Sequence, residues 1–339
     1  MKKTMLQQVA DSLSLSRVTV WKVLNNRPGV APETVQRVLA AIEKLQQEND
    51  SGTAGTQSLD PYIKNITLVA ARANTSVFWT QIVDQIASEL LLNKVRLNYL
   101  PIDVMKVPSS ELSSILNADK TDGIIVINVY DEKFISTLSR ISLPKVFLDT
   151  IPGFTVNDLN GDLVLLEGEK TVESITSNLI KKGCRRIGFI GDIHYAQTNA
   201  MRWKGFVNAM EHNGLPLESQ LCFTKPIDKD SYLAEISTFL NGLKELPDAF
   251  VCVNDYVAFL VLNLLNDRRY NFSGNPILTG YDDSKDFLLD QHGITTVHVQ
   301  NSILGKRMVN QLLFRIENPE ADFEEITVMP KIVFRTANK

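Results

Sequence analysis

From Ile66 to Ile316 the chain alternates short apolar runs with amphipathic stretches, and this alternation sets the fold class before any motif is read. The strand-length runs are Ile66–Ala70, Arg96–Leu100, Gly123–Ile127, Lys145–Leu148, Leu163–Leu166, Ile187–Gly191, Ala249–Val253 and Ile277–Gly280. Helical spacing marks Phe78–Asn93, Glu169–Lys182, Asn199–Asn213, Lys229–Leu243, Tyr256–Asn266 and Ile303–Ile316. Parallel strands need a crossover long enough for a helix, so the alternation reads as α/β with doubly wound parallel sheets. Eight such strands suit one large sheet or two lobes.

The segment Gln46–Ser58, QQENDSGTAGTQS, interrupts any continuous fold. It holds no Val, Ile, Leu or aromatic residue and contains Gly52 and Gly55, so it reads as a flexible linker. At about 150 residues per domain, 339 residues suit two or three domains. The expected division is a head over 1–47, a linker over 48–62 and a body over 63–339.

The head reads as three short helices. Thr4 suits a cap for a helix carrying Leu6, Val9, Ala10 and Leu13; Ser16 suits a cap for Arg17–Leu24; Pro32 suits the first turn of a third helix. In that third helix Val35, Val38, Leu39, Ile42 and Leu45 form one apolar stripe. Two helices joined by a tight turn, then a third, make a helix-turn-helix pattern, whose second helix lies in the major groove of DNA. Whole-chain net charge is −4, which hides an asymmetry. Through residue 48 seven basic side chains face four acidic ones, a surplus of 3, so the remainder carries −7. A basic head on an acidic body suits phosphate attraction at one end only.

Other classes find little support. Cys184, Cys222 and Cys252 form no CxxC pair, so reduced, mostly buried thiols are expected rather than a disulfide framework or zinc site. His194, His212, His292 and His298 make no HxxxH or HExxH pair, and no metal or other cofactor is expected. GxSxG, Walker and GxGxxG motifs do not occur, so no catalytic residues are assigned. No apolar run reaches the ~18 residues of a membrane span. Polar Gln7, Gln8 and Asp11 soon follow Met1-Lys2-Lys3, unlike a signal peptide, and a cytoplasmic protein is expected.

The order and spacing of several short motifs resemble the LacI/GalR family of bacterial transcription regulators. In the head these are Val9-Ala10, Leu15-Ser16, Thr19-Val20, Val23-Leu24-Asn25, Val30 and Thr34. In the body they are Pro144 with Phe147-Leu148-Asp149, Arg186 to Gly191, Arg202 with Gly205-Phe206, Asn254-Asp255, Gly280-Tyr281-Asp282-Asp283, Thr295-Thr296-Val297 and Leu304-Gly305. The resemblance implies that Arg17, Val18 and Lys22 read base edges, and that Thr4, Ser16, Thr19 and Asn25 hold phosphates. Ser16 and Thr19 also suit purely local roles, as cap and packing residue. It implies a body of two lobes, about 63–160 with 297–318 and 161–296 with 319–339, joined by crossover strands. Family bodies are similar to periplasmic sugar-binding proteins and bind a small molecule between the lobes.

Open parallel sheets take ligands at the carboxyl ends of their strands, which here carry Asn128, Asp149, Asn254, Asp255 and Asp282. By the resemblance, Asp255 and Arg202 would grip hydroxyls, and Phe78 with Trp79 would form a stacking wall. The aromatic pair also suits the start of its helix, Asp149 a cap on the following turn, and Asp283 a structural role. Leu165-Leu166-Glu167-Gly168 and Val299 depart from the family pattern, which puts analogies about the effector in doubt. The expected function is therefore a DNA-binding regulator, a repressor of a carbohydrate-utilisation operon. Its partners would be double-stranded operator DNA, a sugar or sugar phosphate, and a second copy in a homodimer. The alternatives are a nucleoside or purine effector, a solute-binding protein without DNA binding, and an α/β enzyme.

From Gln46 to Ile63 no Arg or Lys occurs, and the family's Tyr-x-Pro-Asn entry to a minor-groove hinge helix is missing. Few phosphate contacts and little DNA bending are expected. Operator affinity should fall less steeply with salt than that of a hinge-containing relative measured in parallel; a steeper slope contradicts this reading.

Overall fold

The computed structural model describes residues 5–13, 15, 16, 19, 20, 23, 30–50, 64–71, 76–102, 108, 111–118, 120–227, 231–267, 274–287 and 289–335. The chain divides into two compact units, Met1–Asp60 and Pro61–Lys339.

In the first unit, helix Met5–Leu13 ends in a turn closed by the Leu15 amide donating to the Ala10 carbonyl at 2.9 Å. Ser16 Oγ accepts from the Thr19 amide at 3.0 Å, the cap its sequence position suggests. Helix Pro32–Asp50 follows. Val9, Ala10, Val20, Val23 and Val38 form a small core, with Leu13, Leu15, Val30 and Val35 packed around it. Leu39, expected in the same apolar stripe, is 47% exposed. One residue turns a helix by about 100°, so burying Val38 rotates its neighbour outward. The helix also runs into the stretch read as linker. Gln46, Gln47 and Glu48 are good helix formers and extend it beyond Leu45.

The second unit is built on two parallel sheets. The first has six strands: β1 (Lys64–Ala71), β2 (Val95–Ile102), β3 (Gly123–Ile127), β4 (Lys145–Leu148), β5 (Asp162–Leu166) and β11 (Glu325–Val328), in the order β11-β5-β4-β3-β1-β2. The second has β6 (Ile187–Ile190), β7 (Cys222–Phe223), β8 (Ala249–Cys252) and β9 (Ile277–Thr279), in the order β7-β6-β8-β9. Every residue of β3, β4, β5, β6 and β8 is buried, as parallel strands covered by helices on both faces require. β10 (Thr296–His298) and β12 (Lys331–Val333) pair antiparallel, and bridges Thr279↔Thr295 and Asp282↔His298 join β10 to the second sheet.

The lobe boundaries differ from the sequence reading. β5 and β11 lie in the first sheet, whereas the family resemblance places 161–296 and 319–339 in the second lobe. β5 is as apolar as its neighbours, so composition carries no mark of which sheet it joins. The chain passes between lobes just after β5, β10 and β11. Helix Asn301–Glu317 returns to the first lobe, where it packs on helix Val77–Leu92. Helices Leu112–Ala118, Glu132–Ser139 and Val156–Leu159 are additional to those read from the sequence.

A buried ion pair ties this return helix to the strand it covers. Arg315 donates through Nε at 3.0 Å and Nη2 at 2.7 Å to the two oxygens of Asp162. The Glu324 amide and Gln311 Nε2 supply two more donors. Removing one member strands the other in a low-dielectric interior. Asp162→Ala should lower unfolding free energy by about 3 kcal/mol in urea denaturation; a loss below about 1 kcal/mol would mean water or another group replaces the carboxylate.

A candidate effector cleft between two lobes

Three strand ends in the second unit share an uncommon backbone. Asn128, Asp149 and Asp282 follow β3, β4 and β9 with φ of 55°, 64° and 110°. Asn and Asp tolerate this left-handed region because their short side chains bond locally, and such positions cluster at binding sites. All three line a cavity of about 570 Å³ between the lobes.

Arg202 forms the floor. It sits in helix Gln197–His212 and is 5% exposed. Its guanidinium lies 3.6 Å above the centre of the Tyr281 ring, Nη1 donates to the Val253 carbonyl at 2.8 Å, and Nη2 lies 3.8 Å from Asp282 Oδ1. Nε is buried without a hydrogen-bond partner. Gly168 makes room: a Cβ there would come within 2.9 Å of Arg202 Cγ. Burial pushes the Asp282 carboxyl up to about 7, against the opposing pull of Arg202, and nearby Asp255 adds to the rise.

Asp255 does not play the role expected of it. It is 1% exposed and does not line the cavity. Its Oδ1 accepts from the Thr296 hydroxyl at 2.6 Å and its Oδ2 from the Ser284 amide at 2.8 Å, so it braces the crossover. Gly280 permits this approach, since a Cβ there would lie 2.1 Å from Asp255 Oδ1. The carboxylate beside Arg202 in the cleft is Asp282, three residues after the β9 strand. Asp283, next in the chain, turns away to Arg335 at 2.7 Å and His298 at 2.9 Å.

The remaining expected positions divide by how many of their polar atoms are free. Asn254 lines the cavity while its Oδ1 accepts from the Val257 amide at 2.9 Å as a helix cap. Asn128 donates Nδ2 to the Ala71 carbonyl. Asp149 lines the cavity yet its oxygens are engaged. They accept from the Thr150 amide at 2.8 Å, the Thr198 amide at 3.2 Å, the Thr198 hydroxyl and Tyr130 Oη at 3.3 Å. Burial raises its pKa and those bonds oppose the rise. Thr198 belongs to the other lobe, so Asp149 is chiefly a bridge across the cleft. Phe78 and Trp79 lie in the first turn of helix Val77–Leu92 and line the cavity, edge to face at 5.1 Å.

Five further aromatic residues escaped the sequence reading: Tyr130, Tyr195, Tyr232, Tyr256 and Phe287. Tyr130 and Tyr195 meet across the lobes at 4.5 Å between ring centres. None stands in a motif, and only the fold brings them together. In the head, Ser16 and Thr19 hydroxyls lie 2.9 Å apart; Thr4, Arg17, Val18, Lys22 and Asn25 lie outside the described residues. Among the described residues, no helix is long and apolar enough to cross a membrane.

Two sheets with a cleft between them make a two-lobed fold similar to that of periplasmic binding proteins, preceded in the chain by a small helical head. Residues 176–337 match the periplasmic binding protein-like domain family, and the helix-turn-helix-type transcriptional repressor PurR of Mannheimia succiniciproducens is 26% identical over 98% of each chain. That relative bears the name of a transcriptional repressor, in keeping with the resemblance to the LacI/GalR family. The PurR repressor of a Haemophilus influenzae strain is 25% identical, again over 98% of each chain. Two solved structures share the fold. The regulator CelR in complex with cellobiose superposes with a TM-score of 0.70 at 20% identity, over 99% of this chain and 100% of that one. The Lac repressor dimer bound to operator and the anti-inducer ONPF gives 0.64 at 20% identity, over 99% of each.

The Asp282 carboxyl gives the cleft a pH signature. Its ionised form accepts through both oxygens, whereas protonation turns one oxygen into a donor, and a ligand donating to it stabilises the ionised form. With a free-state pKa of about 7, affinity should rise between pH 6 and 7 and level off by pH 8. Calorimetric titration of a cleft ligand checks this, and an affinity unchanged from pH 6 to pH 8 contradicts it.

Proposed function

We propose that the protein represses a carbohydrate-utilisation operon from the cytoplasm, binding double-stranded operator DNA as a homodimer, with a sugar or sugar phosphate in the interlobe cleft as its effector. The observation that carries this reading is the Arg202–Asp282 pair set among aromatic walls. A guanidinium beside a carboxylate with spare acceptors suits adjacent hydroxyls, and the rings suit the C–H face of a sugar. The head supports DNA binding through its surplus of three basic charges and the capped turn at Ser16. Leu91 and Leu92, 63% and 77% exposed on helix Val77–Leu92, support a second copy covering that face.

A purine or nucleoside effector is the second reading. It is favoured by the relatives bearing the name PurR and by seven aromatic side chains around the cavity, which can sandwich a flat base.

A thermal-shift panel of sugars and nucleosides distinguishes the two. The true effector should raise the melting temperature of the full chain, and the rise should vanish in Arg202→Ala and in Asp282→Asn. It should also change operator affinity measured by fluorescence anisotropy. A shift that survives both substitutions would place the ligand outside the cleft.

A further inference from the structure

The cleft carries an imbalance of charge. Among the described residues, three carboxylates line it, Asp149, Asp282 and Asp286, against one cation, Arg202. That cation is already engaged by the Val253 carbonyl, the Tyr281 ring and Asp282. One donor of the Asn128 amide goes to the Ala71 carbonyl, and ionised Asp282 and Asp286 bring only acceptor oxygens.

Three helices begin at this cavity, and helix N-termini are the usual alternative site for an anion. At each the chain itself supplies acceptors to part of the first turn. At helix Val77–Leu92, Asp286 Oδ2 accepts from the Val77 amide at 3.2 Å and Ser76 Oγ from the Trp79 amide at 3.4 Å. At helix Gln197–His212, the Thr150 carbonyl accepts from the Gln197 amide at 2.6 Å and Asp149 from the Thr198 amide at 3.2 Å. At helix Asp255–Asn266, Asn254 accepts from the Val257 amide and the Tyr281 carbonyl from the Asp255 amide at 2.8 Å. Two of these acceptors are carboxylates, and both reach across from the opposite lobe. A phosphate would meet negative charge at the places where it would otherwise find donors.

Resting on the reading of this cleft as the effector site, we propose that it takes a non-anionic ring rich in hydrogen-bond donors, and that it rejects the phosphorylated form of the same compound. Within the sugar reading this selects the free sugar over the sugar phosphate; within the purine reading, the base or nucleoside over the nucleotide.

The test is calorimetric titration of the full chain at pH 8 with matched pairs: glucose and glucose 6-phosphate, ribose and ribose 5-phosphate, adenosine and adenosine monophosphate. In any pair that binds, the phosphorylated member should be weaker by at least about tenfold, and Asp286→Asn should narrow the gap. A phosphorylated member that binds as tightly as its partner, with its heat lost in Arg202→Ala or Asp282→Asn, overturns the inference while leaving the cleft assignment intact. Binding that persists in both variants, or silence from every pair, overturns the cleft reading and the inference with it.

Discussion

The body depends on one buried guanidinium. Arg202 has no room to retreat into water, so its surroundings must supply an acceptor, a π face and a counter-charge in fixed places. Val253 at the end of β8, Tyr281 after β9 and Asp282 beyond it do so. Tyr281 in turn donates its hydroxyl to the Glu167 carbonyl at 2.6 Å, on the crossover that leaves β5. Glu167 spends its carboxylate on the first amides of helix Glu169–Lys181, accepting from Lys170 and Thr171 at 2.6 and 2.9 Å. One cation thus organises two strand ends, a crossover and the start of a helix.

The lobes meet through reciprocal contacts. Asp149 of the first lobe reaches the start of a second-lobe helix, and Asp286 of the second lobe reaches the start of a first-lobe helix. Each places negative charge at the positive end of a helix dipole. Gln197 adds a backbone bond to Thr150 and a side-chain bond to the Gly153 amide at 3.3 Å. A ligand in this cavity acts by favouring or opposing an arrangement in which these contacts are made. Only a difference in its affinity for two lobe arrangements could shift the balance between them.

Much of this was legible in the sequence. Buried parallel strands leave near-continuous apolar runs, so all eight expected strands are present within a residue or two. The strand-end residues Asn128, Asp149, Asn254 and Asp282 announced the cleft because polar side chains after such runs sit where parallel sheets bind ligands. The failures have physical causes. Asp255 and Asp282 are equally plausible as a partner for Arg202 by type, and only the inward turn of Asp255 toward Thr296 separates them. β5 and β11 resemble strands of either lobe, since sheet membership is set by pairing partners distant in the chain. Tyr130, Tyr195, Tyr232, Tyr256 and Phe287 come from five separate segments, and no spacing rule links them.

The left-handed backbone at Asn128, Asp149 and Asp282 also limits how such a cleft can diversify. Those positions accept Gly, Asn or Asp at little cost, while a β-branched or bulky residue would be strained there. The strand ends therefore offer a nearly fixed palette of small amides and carboxylates. The aromatic walls rise from helices and loops with no such restriction, so a single substitution at Tyr232 or Tyr256 can reshape the cavity without disturbing either sheet. Ligand preference in this architecture has most freedom to drift through its walls, with its polar floor held nearly constant by backbone geometry.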